Sequence, residues 1–226
     1  MAFWEVVDEN ETKNVFQNFE HTDTKKTFFE PAQLKRLQDE MMQACRAGEV
    51  ETVENLLQKQ LSPNFIGLGG SPLAIAVSFS DKNLIDCLLH YGADINFNDS
   101  ENLMAILPLM KACENENIVM IKYLIALDAE VNMVGGNGKS ILEVAVNTGN
   151  TEVVKILLDS GAHTEIKSGF FMSFDKTPLT AAVSNNDTDM VSLLIKNGAK
   201  TKPLRKMIRH EIHPKMVKFL KTRKCL

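Results

Sequence analysis

Few residue groupings in this sequence have the types and spacing to do covalent or metal chemistry. The segment GGNGKS at 135–140 has the ending of a phosphate-binding loop, but the Gly such a loop needs at its start is Met133, so the segment is expected to be a turn. His210, Glu211, Ile212 and His213 fall one residue short of a zinc-binding H-E-x-x-H, and Pro214 follows at once. The four cysteines, Cys45, Cys87, Cys113 and Cys225, form no C-x-x-C pair, and neither a zinc site nor a redox motif is expected of them. No serine–histidine–carboxylate grouping emerges from the spacing. The expectation is a non-enzyme with no catalytic residue, no cofactor and no metal.

Composition frames the same conclusion. The chain has 226 residues, 44% of them hydrophobic and 24% charged, with 12 Gly and 7 Pro. This is the balance of a globular or repeat chain, and excludes collagen-like, disordered and disulfide-dense classes. No apolar run reaches the length of a membrane-spanning helix. The first residues, MAFWEVVDENETKN, are acidic where a secretion signal is basic and then apolar, so a cytosolic or nuclear location and reduced cysteines are expected.

The dominant feature is internal repetition. SPLAIAVSFSDKNLIDCLLHYGADIN, LPLMKACENENIVMIKYLIALDAEVN, SILEVAVNTGNTEVVKILLDSGAHTE and TPLTAAVSNNDTDMVSLLIKNGAKTK align without gaps, and an earlier copy runs from Glu40. Alanine recurs four residues after the start of each copy (Ala44, Ala76, Ala112, Ala145, Ala182) and leucine sixteen after it (Leu56, Leu88, Leu124, Leu157, Leu194). Pro72, Pro108 and Pro178 suit the first position of a helix. The small alanine permits close helix packing, a polar residue such as Asn150 or Asp187 restarts the chain, and Gly92, Gly161 and Gly198 end a second helix. Each copy is therefore a helical hairpin that must stack on its neighbours to bury its faces. In this register Cys45 and Cys113 share the position of Val77, Val146 and Val183, and Cys87 matches Ile156 and Leu193. These three are expected in the core, and Cys225 alone at the surface.

The pattern x-P-L-x-x-A-A/V … V-x-x-L-L-x-x-G-A-D resembles the ankyrin repeat, over residues 40–202 in five copies. That resemblance implies an all-α ankyrin-repeat solenoid of helix-turn-helix units with β-hairpin fingers. The histidine common in that family two residues after the Pro is replaced by Ala74, Met110, Glu143 and Thr180, so the family's hydrogen bond there is expected to be missing. The domain boundaries expected are an N-terminal extension at 1–33, a repeat domain at 34–202 and a basic helical cap, or partial sixth repeat, at 203–226.

The resemblance also implies where a partner would bind: on finger residues and the exposed end of each first helix. Carried onto this sequence, these are Leu68, Leu103, Met104, Ile106, Asn137, Phe170, Phe171 and Phe174 on fingers, and Ser78, Phe79, Glu114, Asn115, Asn147, Thr148, Ser184 and Asn185 on helices. Copy starts are 32, 36, 33 and 37 residues apart, and the added residues fall in the finger connections. The fingers are unusually apolar, and Phe65, Phe97, Phe170, Phe171 and Phe174 fit a protein interface better than a repeat core. An alternative occupant is the N-terminal segment, whose Phe3, Trp4, Val6, Val7, Phe16, Phe19, Phe28 and Phe29 must themselves be buried somewhere.

Charge divides the chain as well. From Lys196 onward there are 11 basic residues against one acidic residue, Glu211, within a chain whose net charge is −4. The basic end either neutralises an acidic body or has its own partner, with Lys215, Lys218, Lys221, Arg223 and Lys224 placed to bind phosphates. The two functional expectations are thus a non-catalytic adaptor or scaffold, monomeric by itself, that binds a protein or peptide, basic by charge complementarity, and a nucleic-acid or anionic-surface binder acting through the tail.

Overall fold

Hairpin formation begins at two capping positions per repeat. At the first helix a hydroxyl accepts the first free amide: Ser71 Oγ, before Pro72, from Ala74 N at 3.2 Å, and Ser140 Oγ, before Ile141, from Glu143 N at 3.1 Å. Thr177 and Thr180 form a reciprocal capping box. At the second helix Asp81, Asn117, Asn150 and Asp187 cap with their side-chain oxygens. Where the family's histidine is replaced, hydroxyl caps therefore organise three of the repeat starts. The fourth, Leu107, is buried and has no side-chain cap bond.

The computed structural model describes residues 29–99, 102, 105–166, 177–207, 212–223 and 225. Among them the helices pair as hairpins: α1 (Pro31–Ala47) with α2 (Val50–Gln58), α3 (Pro72–Phe79) with α4 (Lys82–His90), and α5 (Pro108–Glu114) with α6 (Ile118–Ala126). They continue as α7 (Ile141–Thr148) with α8 (Thr151–Asp159) and α9 (Pro178–Ser184) with α10 (Thr188–Lys196). Then follow the single turn α11 (Leu204–Met207) and α12 (Pro214–Thr222). After α1, the repeat helices have seven to nine residues, too short to hold alone in water, so packing sustains them.

The chain divides into two compact units, Met1–Glu130 and Val131–Leu226. In the first, α1 packs on α3 and α3 on α5; in the second, α7 packs on α9. The repeated alanines and leucines form these cores: Ala76, Ala112, Ala145 and Ala182, with Leu88, Leu124, Leu157 and Leu194, have no exposed surface. A leucine so buried contributes about 1.5–3 kcal/mol relative to exposure.

Two left-handed positions recur per repeat. The turn within the hairpin is made by Gly48, Ser80, Glu116, Gly149 and Asn186, and the turn after it by Gln60, Gly92, Asp128, Gly161 and Gly198. Glycine was expected at three of these; Gln60 and Asp128 adopt the same positive φ, 66° and 63°, with a Cβ present. The loop that follows is stitched to its neighbour by one side chain. Asn64 donates to Gly92 O at 2.9 Å and accepts from Asp94 N at 2.8 Å. Asn96 does the same to Asp128 O and Glu130 N, and Asn132 to Gly161 O and His163 N. In the next repeat Glu165 accepts from Lys200 N at 2.9 Å.

The described β-hairpin fingers, at 66–70 and 134–140, are reduced to turns. Among the described residues there are isolated bridges, Gly67 with Gly70 and Val134 with Ser140, and no strands. The connection at 134–140 closes as a turn, with Gly138 N–H donating to Gly135 O and Asn137 Oδ1 accepting from Lys139 N. GGNGKS is thus a turn whose last residue caps α7.

Candidate interaction surface

The best-defined stretch of the expected surface lies in the first unit. The finger at 66–70 turns on itself, and it does so against α1: a Cβ at Gly67 would come within 2.8 Å of Met42 Cγ. Arg46 donates to Met42 O at 3.2 Å and to the carbonyl of Leu68, fastening the finger to the end of α1. The Leu68 side chain then stands 74% exposed. At the other end of α3, Phe79 is 60% exposed, and Asn115 Nδ2 donates to Ser78 O at 3.0 Å to fix that turn. Two apolar side chains are presented from backbone that is already held in place.

The other expected positions fare differently. Ile106 is half-buried against the first finger, its Cβ 3.7 Å from where a Gly70 Cβ would stand. Glu114 is exposed and pairs with Lys111 at 3.0 Å. In the second unit Asn147 and Asn185 are exposed and bonded to each other at 3.2 Å, and Asn137 is exposed on its turn. Asn115 and Asn185 thus use donors to tie first helices together. Phe65 and Phe97 are half-buried, so they are less available than their sequence context indicated. Leu103, Met104, Phe170, Phe171 and Phe174 lie outside the described residues.

On α12, Met216 and Leu220 are buried while Lys215, Lys218 and Lys221 are exposed, as their spacing on a helix dictates. The His213 ring caps this helix, Nδ1 accepting from Lys215 N at 3.3 Å. Arg223 is exposed, its guanidinium 4.7 Å from the centre of the Phe219 ring. Lys224, His210 and Glu211 lie outside the described residues.

The cysteine expectations need two corrections. Cys225 is buried, because its N–H turns back to Leu220 O after α12. Cys87 is half-buried rather than core. Burial pushes the thiols of Cys45 and Cys113 up to about 12 and that of Cys87 up to about 11. They are protonated and poor nucleophiles near neutral pH. Among the described residues no group of three or more His, Cys, Asp or Glu could hold a metal ion, and no helix is long and apolar enough to cross a membrane.

The inter-repeat asparagines were the unforeseen element. Their signal was present, since Asn64, Asn96 and Asn132 recur with the spacing of the repeat.

Comparison with known proteins places these observations together. A family model described as ankyrin repeats, three copies, matches residues 99–168, and a second, described as ankyrin repeats, many copies, matches 142–195. The chain is 30% identical over 130 residues to the putative ankyrin repeat protein FPV240 of fowlpox virus, covering 56% of this chain and 30% of that protein. It is 27% identical over 147 residues to the putative ankyrin repeat protein YahD of Escherichia coli, covering 65% and 70%. To human ankyrin repeat and SOCS box protein 6 it is 33% identical over 96 residues, covering 40% and 23%. It therefore spans less than a third of the viral and human relatives.

Proposed function

The chain belongs to the ankyrin-repeat family of all-α, protein-binding repeats, and from that membership we propose that it is a non-catalytic adaptor whose first unit grips a partner segment. The observation that supports this most is the pair Leu68 and Phe79, exposed at the two ends of α3 on backbone fastened by Arg46 and Asn115. Rigid apolar anchors of this kind carry most of the affinity in protein interfaces. The helix length between them, about 12 Å, suits side chains several residues apart on one extended or helical segment. The first unit holds 21 acidic against 10 basic residues, so a basic partner is favoured and its encounter is accelerated at low salt.

The test is capture of partners from lysate by the whole chain and by a Leu68→Ser/Phe79→Ser variant, at low and high salt. A protein retained at high salt and lost with the variant supports the reading. Retention unchanged by the variant refutes it.

The exposed lysine stripe of α12 favours a second reading, binding of nucleic acid or another anionic surface. It predicts binding that weakens steeply with salt and is lost in Lys215→Ala/Lys218→Ala/Lys221→Ala, with the Leu68/Phe79 variant unaffected.

A further inference from the structure

We propose that residues 1–28 are themselves an occupant of the Leu68–Phe79 surface, so that the chain carries its own competitor for a partner. The inference rests on the reading of that surface as the binding site and adds its regulation.

Four observations carry it. Leu68 and Phe79 are the large hydrophobic side chains left exposed among the described residues. Residues 1–28 hold apolar side chains in two clusters, Phe3, Trp4, Val6 and Val7, then Val15, Phe16 and Phe19, separated by the acidic run 8–11. This segment joins the described chain at Phe29, immediately before α1, the helix whose far end carries Arg46. The 17 residues of α1 span about 25 Å, which about eight extended residues cover, so both clusters can return to Leu68 with chain to spare.

Charge decides the strength of the contact. Residues 1–28 contain six acidic and three basic residues, and residues 29–130 contain 15 acidic and seven basic. Like charge opposes docking, so the contact is held by apolar burial and is weak enough to be displaced. A basic partner meets no such opposition. Screening by salt consequently strengthens the internal contact, opposite to its effect on an ionic one.

The chain contains a single tryptophan, Trp4, which reports on the contact directly. In the intact chain its emission should be blue-shifted and protected from acrylamide, with protection rising as salt is added. Leu68→Ser/Phe79→Ser, both at exposed positions and so expected to leave the helical circular dichroism unchanged, should shift the emission to the red and abolish the protection. Emission of a solvated indole in the intact chain overturns the proposal. So does protection that survives the double variant, falls with salt, or grows with protein concentration, the last assigning it to a second copy. If Trp4 is solvated while partner capture still depends on Phe79, only this inference fails. If Trp4 is protected through Leu68 and Phe79 while capture ignores them, the partner-binding reading fails and the internal contact stands.

Discussion

In residues 1–130 four of the six left-handed hairpin positions, Gln60, Ser80, Glu116 and Asp128, carry a side chain; in residues 131–226 Asn186 is the one such residue among four. Asparagine and aspartate tolerate this conformation best, whereas Gln60, Ser80 and Glu116 hold it at a cost of about 1 kcal/mol apiece. The first unit also exposes Leu68 and Phe79 and contains all three thiols with raised pKa. The second unit has more glycine at its turns, a capping box at Thr177, and 15 basic against eight acidic residues. One hairpin design is thus compatible with two purposes. The unit with the presented apolar surface is also the one with local strain, and the unit with relaxed turns carries the basic helix.

Deleting a core leucine tests whether the two units rest on the same packing. Leu88→Ala and Leu157→Ala occupy one repeat position and are both fully buried, so each should lose about 2–5 kcal/mol in urea denaturation. A much smaller loss for one would break the equivalence. Removing an inter-repeat asparagine comes next. Asn96→Ala and Asn132→Ala each forfeit two hydrogen bonds and should lower stability by about 1–3 kcal/mol, while Glu165→Ala, with one described bond, should lose less.

The strain itself can be moved between units. Gly161→Ala meets no atom within 4 Å, so its loss, about 1 kcal/mol, is conformational; Asp128→Gly at the equivalent position should gain up to about as much. Equal thermal midpoints for these two variants would remove strain from the comparison. The smallest effect near neutrality concerns the thiols. Their pKa is raised on folding, so the unfolded chain loses protons first as pH climbs above the ordinary 9.0. Stability is therefore complete below that value and declines toward about 12. Cys45→Val/Cys113→Val, which installs the residue found at Val77, Val146 and Val183, should flatten the alkaline limb of a melting-temperature profile.

The helical hairpins were legible because burial imposes apolar periodicity: every Ala and Leu that the spacing singled out is in the core. Asn64, Asn96 and Asn132 repeat just as faithfully but are polar and partly exposed, so a search for apolar spacing passes over them. Gln60 and Asp128 were hidden for a different reason. A left-handed turn is plainest in sequence when glycine marks it, and neither position carries one. Leu68 and Phe79 were expected at the surface and are there, whereas Phe65 and Phe97 are half-buried, a depth that residue type alone does not specify. Cys225 was misplaced because nothing in its own residue type signals that Leu220 O receives its N–H.

The asparagine bridges also set a clock. The amides of Asp94, Glu130, His163 and Lys200 sit in loops, where hydrogen exchange is ordinarily fast, yet each is bonded to a side chain of the preceding repeat. Deuterium enters at those four sites only when the side-chain bond between one repeat and the next is broken. Their exchange times, read individually, measure how often each of these inter-repeat bonds opens, at a resolution that no change in overall stability can provide.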